Sequence, residues 1–360
     1  MTAPAPVFHE LEVESVESLT DDAVALTFAV PAELAAEYRY LPGQHVTLKA
    51  IIDGEDVRRS YSICANANDG RLRVGIKRLP GGAFSTYATT SVEPGDTIEV
   101  MPPTGEFTIT PSPVVQRNYG AVAAGSGITP VLSLISTVLE AEPNSTFTLI
   151  FGNRHAGAIM FLEELEGLKD RYPDRFQLVH VLTGEISMVP LFSGRLDRNK
   201  LGELFDRVVD ADHIDAWYLC GPYEVVTAAQ AELAARGVDD DAVHDELFFA
   251  APMDPASIPA PPAEDEAGTV RLTFALDGRT SRVRMRPGTS VLDAALAVRP
   301  ELPFSCKGGM CASCKARVIE GTVEMDKNFA LIEEDLAAGY VLTCQAHPTS
   351  DQLSIDFDQR

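Results

Sequence analysis

The chain has 360 residues, of which 45% are hydrophobic, and its 53 acidic and 29 basic side chains give a formal net charge of −24. This length allows two or three packed domains, and the negative charge excludes nucleic acid and anionic membrane surfaces as partners, because both repel an acidic protein. We expect a cytoplasmic protein, because no apolar run reaches the ~18 residues of a membrane span and the amino terminus lacks the features of a signal peptide.

Residues 1–112 are predicted to form a small antiparallel β-barrel, because short strand-like runs alternate with turn signals. Dipeptides such as Pro42-Gly43 and Asp53-Gly54 separate these runs. The predicted strands are Phe8–Val16, Ala23–Val30, His45–Ile52, Arg58–Cys64, Leu72–Lys77 and Thr97–Met101.

One predicted strand carries the run Arg59-Ser60-Tyr61-Ser62. An arginine grips a phosphate through its charge and its planar fork. Tyr61 shares a strand face with Arg59 and is suited to stack on a flat ring, while Ser62 could hydrogen-bond to the edge of that ring. The run indicates a flavin site, but an ordinary strand with a buried tyrosine and an exposed arginine explains it equally well.

A second segment favours the flavin interpretation. Lys77 precedes the run Gly81-Gly82-Ala83-Phe84-Ser85-Thr86-Tyr87, in which a glycine turn opens a predicted short helix. The free N–H groups and the positive dipole end of a helix start attract anions, and Ser85 and Thr86 add hydroxyl donors. We expect this segment to bind a flavin pyrophosphate, with a plain glycine-capped loop as the alternative.

Residues 113–250 alternate between strand and helix patterns, which predicts a parallel sheet with helices on both faces. The predicted strands are Tyr119–Ala124, Thr146–Phe151, Phe176–Leu182 and Ala216–Cys220. The predicted helices are Thr129–Leu139, Met160–Leu168 and Tyr223–Ala235.

The carboxyl ends of these strands carry the candidate nucleotide site, since open α/β sheets bind ligands at this edge. The first strand runs into Gly125-Ser126-Gly127-Ile128-Thr129-Pro130, which lacks the third glycine of the usual dinucleotide fingerprint. Arg154 follows the second strand and could meet a nucleotide phosphate. Cys220-Gly221-Pro222 ends another strand, where Cys220 could face a nicotinamide ring. The alternative for the glycine run is a tight turn without a ligand, and the alternative for Cys220 is a small buried thiol that packs at the end of a strand.

Residues 251–268 contain five prolines and an acidic end, which indicate a linker. Residues 269–360 then form a third unit. A hairpin turning at Asp277-Gly278 opens this unit, and Ser290 is predicted to cap a helix.

Four cysteines give the most specific signal in the chain. Cys306, Cys311 and Cys314 have the spacing C-x4-C-x2-C, and Cys344 follows one predicted strand and helix later. This is the spacing of a plant-type [2Fe–2S] cluster, which carries single electrons at roughly −400 mV. A zinc site or disulfides are the alternatives, but zinc sites usually use two C-x2-C pairs or added histidines, and nothing marks the chain as secreted.

Taken in order, the flavin, nucleotide and cysteine motifs resemble the ferredoxin–NADP reductase superfamily with a C-terminal plant-type ferredoxin domain, as in oxygenase reductase components. The resemblance is carried by residues 42–50, 58–64, 306–312 and 336–346 and covers nearly the whole chain. It implies an antiparallel β-barrel flavin domain (1–112), an α/β parallel-sheet nucleotide domain (113–250) and an α+β β-grasp ferredoxin domain (269–360).

The resemblance also implies roles for single residues. Ser62, Cys220 and Glu246 would be catalytic. The FAD-binding positions would be Arg59, Tyr61, Ser62, Lys77, Gly82, Ala83, Phe84, Ser85, Thr86 and Phe248. Gly125, Gly127, Cys220 and Gly221 would line the nicotinamide nucleotide site, and Thr129 would lie by the flavin ring or the nicotinamide. Cys306 and Cys311 would bind one iron, and Cys314 and Cys344 the other.

We therefore predict a reductase that passes single electrons from NADPH through FAD and a [2Fe–2S] cluster to the diiron oxygenase subunits of a multicomponent complex. FMN is the alternative flavin, since related reductases with this domain order bind FMN. NADH is the alternative nicotinamide nucleotide. Ring-hydroxylating and ketosteroid oxygenases are the alternative acceptors. A redox-sensing or electron-relay subunit that does not itself oxidise a nicotinamide is the alternative from another functional class.

Overall fold

The computed structural model describes residues 7–185, 188–248, 262, 268–276, 278–299, 302–304, 307, 309, 312–328 and 330–359. The chain divides into two compact units, one formed by His9–Val57 and Tyr61–Phe249, the other by Met1–Phe8, Arg58–Ser60 and Ala250–Arg360. Most of the predicted linker and the turn residue Asp277 lie outside the described residues. The boundaries predicted at residues 112 and 250 stay predictions.

The first third of the chain forms the predicted antiparallel barrel. Its elements are β1 (His9–Thr20), β2 (Ala23–Ala29), β3 (His45–Ile52), β4 (Glu55–Ser62), β5 (Leu72–Lys77), α1 (Ala83–Thr90) and β6 (Thr97–Val100). The strand order is β4-β3-β6-β1-β2-β5, and a bridge between Ile63 and Val74 joins the two ends of this order. Buried residues such as Leu11 and Val13 alternate with exposed ones along β1, because one face of the strand lines the barrel core.

A parallel sheet with helices follows, as predicted. Its elements are β7 (Asn118–Ala124), α2 (Ile128–Ala141), β8 (Thr146–Asn153), α3 (Leu162–Arg171), β9 (Phe176–Leu182), α4 (Arg198–Arg207), β10 (Ala216–Gly221), α5 (Tyr223–Ala235) and β11 (Val243–Leu247). The strand order is β11-β10-β7-β8-β9. Within the described part of the chain, no helix is long and apolar enough to cross a bilayer.

Sequence analysis missed α4 and β11 because both are mostly polar. Helix α4 buries only Leu201, Leu204 and Phe205 of its ten residues, so few apolar residues mark the helix in the sequence. Strand β11 lies at the edge of the sheet, where charged residues are tolerated and blunt the strand pattern.

The C-terminal residues form a mixed sheet packed on a short helix. Its elements are β12 (Val270–Leu276), β13 (Arg279–Met285), α6 (Val291–Leu296), β14 (Lys315–Glu320), β15 (Val323–Met325), α7 (Glu333–Ala337), β16 (Tyr340–Leu342), β17 (Ala346–Pro348) and β18 (Gln352–Asp356). The main sheet has the order β13-β12-β18-β14-β16, and β15 pairs with β17. Ser290 caps α6 as predicted, since its hydroxyl accepts a hydrogen bond from Asp293 N at 3.1 Å. These three architectures confirm the predicted fold class.

Candidate active site

The candidate nucleotide site lies at the carboxyl ends of β7 and β10, where the strand order of the parallel sheet reverses. Strand β7 runs into Gly125, and β10 ends at Gly221. Their register pairs Ala123 with Cys220. Ligands bind at such reversal points in open α/β sheets, so the structure brings the predicted glycines and Cys220 to a suitable place.

Glycines let these backbone segments approach one another. A Cβ atom on Gly127 would lie 2.1 Å from Cys220 O, and one on Gly221 would lie 3.1 Å from Ala124 N. Gly125 has a φ of +55°, and a Cβ there would have no neighbour within 4 Å. Gly127 and Gly221 are therefore required by packing, whereas Gly125 turns the chain beside open space that a pyrophosphate would fill.

Thr129 and Cys220 are both buried at this turn. Thr129 Oγ1 donates to Ser126 O at 3.0 Å, which closes the start of α2. Burial raises the pKa of the Cys220 thiol well above its ordinary value, and the nearby Glu246 and Asp245 carboxylates raise it further. Cys220 therefore remains a neutral thiol at neutral pH.

Ser62 and Glu246 are brought together from β4 and β11. The buried Ser62 hydroxyl donates to Glu246 Oε2 at 3.2 Å, and the register of β10 and β11 places Glu246 beside Cys220. Phe248, just beyond β11, packs against the core of the parallel sheet. The three residues predicted to be catalytic thus converge in the structure.

His45, which sequence analysis did not select, adjoins this group. It is 3% exposed, with Nδ1 3.7 Å from Glu246 Oε1 and Nε2 3.2 Å from Thr104 Oγ1. The sequence signal was a histidine at the start of a predicted strand, and no pattern along the chain links it to Glu246.

The aromatic part of the predicted flavin site lies on the barrel. Tyr61 packs against Phe84 with ring centroids 5.6 Å apart, and Phe84 is buried in the barrel core. The Phe84 side chain therefore supports Tyr61 from within the core. Arg59 is half-buried on β4, and its Nη1 donates to Arg58 O at 2.7 Å.

Of the two hydroxyls predicted to bind a phosphate, the Ser85 hydroxyl instead hydrogen-bonds to the backbone of the glycine turn before α1. Ser85 Oγ donates to Gly82 O at 3.2 Å and accepts from Leu79 N at 3.1 Å. The side chains of Ala83 and Thr86 are exposed beside it. Thr86, rather than Ser85, therefore has the hydroxyl accessible to a bound phosphate.

Lys77 and Arg154, predicted to contact different phosphates, meet at Asp22. Lys77 Nζ lies 3.4 Å from Asp22 Oδ1, and Arg154 Nη2 lies 3.5 Å from Asp22 Oδ2. Burial tends to raise the pKa of Asp22, but the hydrogen bond from Thr20 and the two positive charges outweigh burial and lower it. One carboxylate therefore holds both cations at the edge of the site.

Two of the predicted cluster ligands, Cys314 and Cys344, lie in the core of the C-terminal domain, where they are 3% and 9% exposed. The register of β14 and β16 pairs Lys315, the residue after Cys314, with Leu342, two residues before Cys344. The Thr343 hydroxyl donates a hydrogen bond to the backbone carbonyl of Cys314 at 2.9 Å. The two cysteines thus lie at adjacent ends of β14 and β16. Cys306 and Cys311 lie outside the described residues.

The described part of the cysteine loop fits an iron–sulfur cluster. Lys307, Gly309 and Ala312 have φ angles of +52°, +81° and +53°, the left-handed conformation found where a backbone turns tightly or closely approaches a ligand. The Ser313 hydroxyl is buried without a hydrogen-bond partner among the described residues. A cluster held by the four cysteines would supply one-electron storage and sulfur acceptors for such donors.

Gln345 fastens this loop and was not selected from the sequence. Its Nε2 donates to Lys307 O at 2.6 Å and lies 3.8 Å from Cys344 Sγ. Lys307 in turn pairs with Asp293 on α6 at 2.7 Å. The residue after the fourth cysteine therefore connects a predicted ligand to the loop that carries the other three.

Three family models match the chain in the predicted order. An oxidoreductase FAD-binding domain matches residues 10–109, an oxidoreductase NAD-binding domain matches residues 121–231, and a 2Fe-2S iron-sulfur cluster binding domain matches residues 274–349. These matches confirm the predictions of FAD, a nicotinamide nucleotide and a [2Fe–2S] cluster as the cofactor classes.

The chain is similar to proteins of the same length. It is 43% identical, over 98% of both chains, to a component of the 1,2-phenylacetyl-CoA epoxidase of Escherichia coli (strain K12). It is 34% identical, over 97% of both chains, to the ferredoxin reductase component of 3-ketosteroid-9-alpha-monooxygenase from Mycolicibacterium smegmatis.

Solved structures share the fold. Phthalate dioxygenase reductase aligns over 97% of this chain and 98% of its own with a TM-score of 0.55 and 21% identity. The FAD/NAD-binding domain of nitric oxide dioxygenase from Vibrio cholerae covers 66% of this chain with a TM-score of 0.58 and 24% identity. The chain is thus an electron-transfer oxidoreductase that belongs to the ferredoxin–NADP reductase superfamily with a C-terminal plant-type [2Fe–2S] ferredoxin domain.

Proposed function

We propose that this protein is the reductase component of a phenylacetyl-CoA epoxidase. It takes electrons from NADPH, passes them through FAD and the [2Fe–2S] cluster, and delivers them singly to the diiron oxygenase subunits. The observation that carries this proposal is the 43% identity with the Escherichia coli epoxidase component over 98% of both chains.

Ser62, Cys220 and Glu246 serve hydride transfer in this proposal. The flavin supplies the conversion from a hydride to single electrons, and the protein supplies orientation and charge. The Ser62 hydroxyl is held by Glu246, so it presents a fixed polar group to the ring edge. Cys220, kept neutral by burial, packs against the nicotinamide without reacting with it.

Arg154, one of the two cations at Asp22, supports NADPH rather than NADH as the donor. Arg154 follows β8, and its side chain is 69% exposed, so its guanidinium can reach a ribose phosphate. A 2′-phosphate favours a nearby arginine. Arg59, Tyr61, Lys77 and the start of α1 bind FAD in the same scheme.

A two-stage kinetic experiment tests the proposal with the full-length protein carrying flavin and cluster. NADPH and NADH are mixed with it anaerobically in turn, and flavin and cluster bleaching are followed. The reduced protein is then mixed with the oxygenase subunits of phenylacetyl-CoA epoxidase. We expect faster bleaching with NADPH than with NADH, and product formation only when the reductase is present.

The oxygenase component of a 3-ketosteroid-9-alpha-monooxygenase is the comparison acceptor, because its reductase component is 34% identical to this chain. Faster electron delivery to the ketosteroid enzyme would reverse the choice of acceptor. A protein that holds flavin and iron but is bleached by neither nicotinamide would instead be a relay or sensing subunit.

A further inference from the structure

We propose that Asp22 sets the choice between NADPH and NADH, by holding the Arg154 guanidinium in the free protein and competing for it with the 2′-phosphate of NADPH. Asp22 is then a specificity-determining residue that opposes NADPH, whereas Arg154 favours it. This inference rests on the proposed function, in which the coenzyme binds at the carboxyl ends of the parallel strands and Arg154 meets its ribose phosphate.

Arg154, which follows β8, contacts the turn between β1 and β2. Its Nη2 donates to Asp22 Oδ2 at 3.5 Å, across a separation of 132 residues in the chain. Charge-assisted hydrogen bonds between such groups are usually about 2.7–2.9 Å long, so this contact is a loose one. The arginine side chain is 69% exposed, compared with 28% for Asp22. A phosphate can therefore reach the guanidinium from solvent and displace the carboxylate.

The arginine side chain is the partner that can move, because Asp22 and the Arg154 backbone are both held in place. Thr20 Oγ1 donates to Asp22 Oδ1 at 2.9 Å, and Arg78 N donates to Asp22 O at 2.7 Å. The backbone oxygen of Arg154 accepts from Gly184 N at 2.6 Å. Rotation about the side-chain bonds of Arg154 therefore transfers the guanidinium from Asp22 to a ligand while the backbone stays where it is.

Lys77 allows this exchange without leaving Asp22 unpaired. Its Nζ lies 3.4 Å from Asp22 Oδ1, whereas Arg154 contacts the other carboxylate oxygen, Oδ2. When Arg154 turns to a phosphate, the carboxylate still has the Lys77 charge and the Thr20 hydroxyl beside it. A partly buried carboxylate is destabilised strongly only when it loses every partner, so Asp22 can release one of its two cations.

The charge of Asp22 acts on one coenzyme and not on the other. Burial tends to raise the pKa of Asp22, but the Thr20 hydrogen bond and the Lys77 and Arg154 charges outweigh burial and lower it, so the side chain is a carboxylate at neutral pH. It competes with a phosphate for the same guanidinium and repels the negative charge of that phosphate. NADH has an uncharged 2′-hydroxyl in this place and is subject to neither effect.

A carboxylate beside an arginine can instead orient the arginine for its ligand, but the geometry here favours competition. A bidentate pair would hold the planar fork in one orientation, whereas this contact joins one guanidinium nitrogen to one carboxylate oxygen at 3.5 Å. A single long contact to a largely exposed side chain restrains the fork weakly. The two roles predict opposite changes in NADPH affinity when Asp22 loses its charge.

The test measures the affinity for NADP⁺ and NAD⁺ by isothermal titration calorimetry, using the full-length protein carrying flavin and cluster. The oxidised coenzymes bind without transferring a hydride. Asp22→Asn, Arg154→Gln and the double variant are compared with the unchanged protein. Asp21→Asn is the matched control, because Asp21 is an exposed neighbour in the same turn and its replacement removes the same charge. The fragments 2′,5′-ADP and 5′-AMP, which differ only in the 2′-phosphate, repeat the comparison without a nicotinamide.

We expect Asp22→Asn to bind NADP⁺ and 2′,5′-ADP about threefold to tenfold more tightly, because Arg154 is then available to the phosphate in a larger fraction of molecules and an opposing charge is gone. NAD⁺ and 5′-AMP should change by less than about twofold. Asp21→Asn should leave all four affinities within about twofold, since salt screens an exposed charge that makes no direct contact with the ligand. In the Arg154→Gln background, the Asp22 substitution should change NADP⁺ affinity by less than about twofold, because the two residues act through one contact.

Weaker or unchanged NADP⁺ binding by Asp22→Asn would overturn the inference, and so would equal tightening of NAD⁺ or an undiminished gain in the Arg154→Gln background. If Asp22→Asn does not retain flavin, Asp22→Ser removes the same charge and is judged by the same outcomes. An Arg154→Gln protein that binds NADP⁺ as tightly as the unchanged protein would refute the role of Arg154 in the proposed function, and this inference with it. Failure to deliver electrons to the epoxidase subunits would refute the proposed acceptor, while the effect of Asp22 on NADP⁺ affinity would stand.

Discussion

The Ser62 hydroxyl donates to the Glu246 carboxylate at 3.2 Å, across a separation of 184 residues in the chain. The two residues belong to different sheets, the barrel and the parallel sheet, within one compact unit. The polar group proposed to face the flavin is therefore oriented only when both sheets have folded together.

Replacing Glu246 by glutamine should lower turnover roughly hundredfold, because the amide keeps the shape of the side chain but can neither carry the negative charge nor accept a proton at neutral pH. Flavin absorbance of the purified variant should be unchanged. Asp245→Asn is the matched control, since the exposed Asp245 side chain lies on the same strand and accepts a hydrogen bond from Gln230 at 3.0 Å. Equal turnover of the two variants would remove Glu246 from the mechanism.

Replacing Gly127 by alanine should destabilise the nucleotide turn. The new Cβ atom would lie 2.1 Å from Cys220 O, so the backbone must move, and overpacking of this kind lowers the free energy of unfolding by about 1–3 kcal/mol. NADPH affinity should fall as well. Chemical denaturation and nucleotide titration measure the two effects.

Gly167→Ala provides the contrast, because a Cβ atom at this position in α3 would have no neighbour within 4 Å. Alanine should stabilise the helix by about 0.5–1 kcal/mol. A Gly127→Ala protein as stable as Gly167→Ala, with unchanged nucleotide affinity, would show that the turn tolerates a side chain.

Local patterns were sufficient to predict most of this fold. The glycine turn after β7 and the cap at Ser290 depend on residues within one turn of the chain, so the sequence displays them directly. The spacing of the four cysteines predicts a cluster because three ligands lie within one loop. The polar edge strand β11 was missed because its burial depends on a neighbouring strand and not on its own sequence.

The arrangement of side chains in the site was less predictable. Lys77 and Arg154 were assigned to separate phosphates, whereas the structure places both beside Asp22, a residue that no local motif selects. His45 and Glu246 lie about 200 residues apart in the sequence and meet only through the packing of two sheets. Such contacts are set by tertiary structure, and periodicity along the chain carries no information about them.

The Asp22 ion pairs should make a small, pH-dependent contribution to stability. The pKa of Asp22 is lowered from an ordinary value of 3.8, so its contribution is fully present above that value and is lost as the pH falls through the lower, folded-state pKa. Asp22→Asn should reduce the free energy of unfolding at pH 7 by up to ~1 kcal/mol, since the pairs are partly exposed.

The difference between Asp22→Asn and the unchanged protein should disappear well below pH 4, where the unchanged carboxyl is protonated as well. Denaturation at pH 7 and at pH 3 measures it. The exposed neighbour Asp21, replaced by asparagine, is the control. A destabilisation that persists undiminished at pH 3 would mean that the ion pairs are not its cause.

Cys64 and Cys220 should resist alkylation in the folded protein. Burial raises the pKa of Cys64 to about 12, although the Arg73 charge opposes this increase, and burial also raises that of Cys220. The thiolate fraction of Cys64 at pH 8 is then on the order of 10⁻⁴. Peptide mass mapping after iodoacetamide treatment should find both residues unlabelled in the native protein and labelled after denaturation, and rapid native labelling would contradict their burial.

Replacing Gln345 by leucine should lower the reduction potential of the cluster. The change removes the hydrogen bond to Lys307 O at 2.6 Å and the amide that lies 3.8 Å from Cys344 Sγ. Loss of a donor near a thiolate disfavours the reduced, more negative form of a cluster. A threefold to tenfold change in the reduction equilibrium corresponds to a shift of roughly 30–60 mV for one electron.

Gln352→Leu on β18, an exposed position in the same domain, is the matched control. Iron analysis and a redox titration followed by electron paramagnetic resonance make the measurement, and an unshifted potential at full iron content would show that Gln345 only fastens the loop and does not tune the cluster.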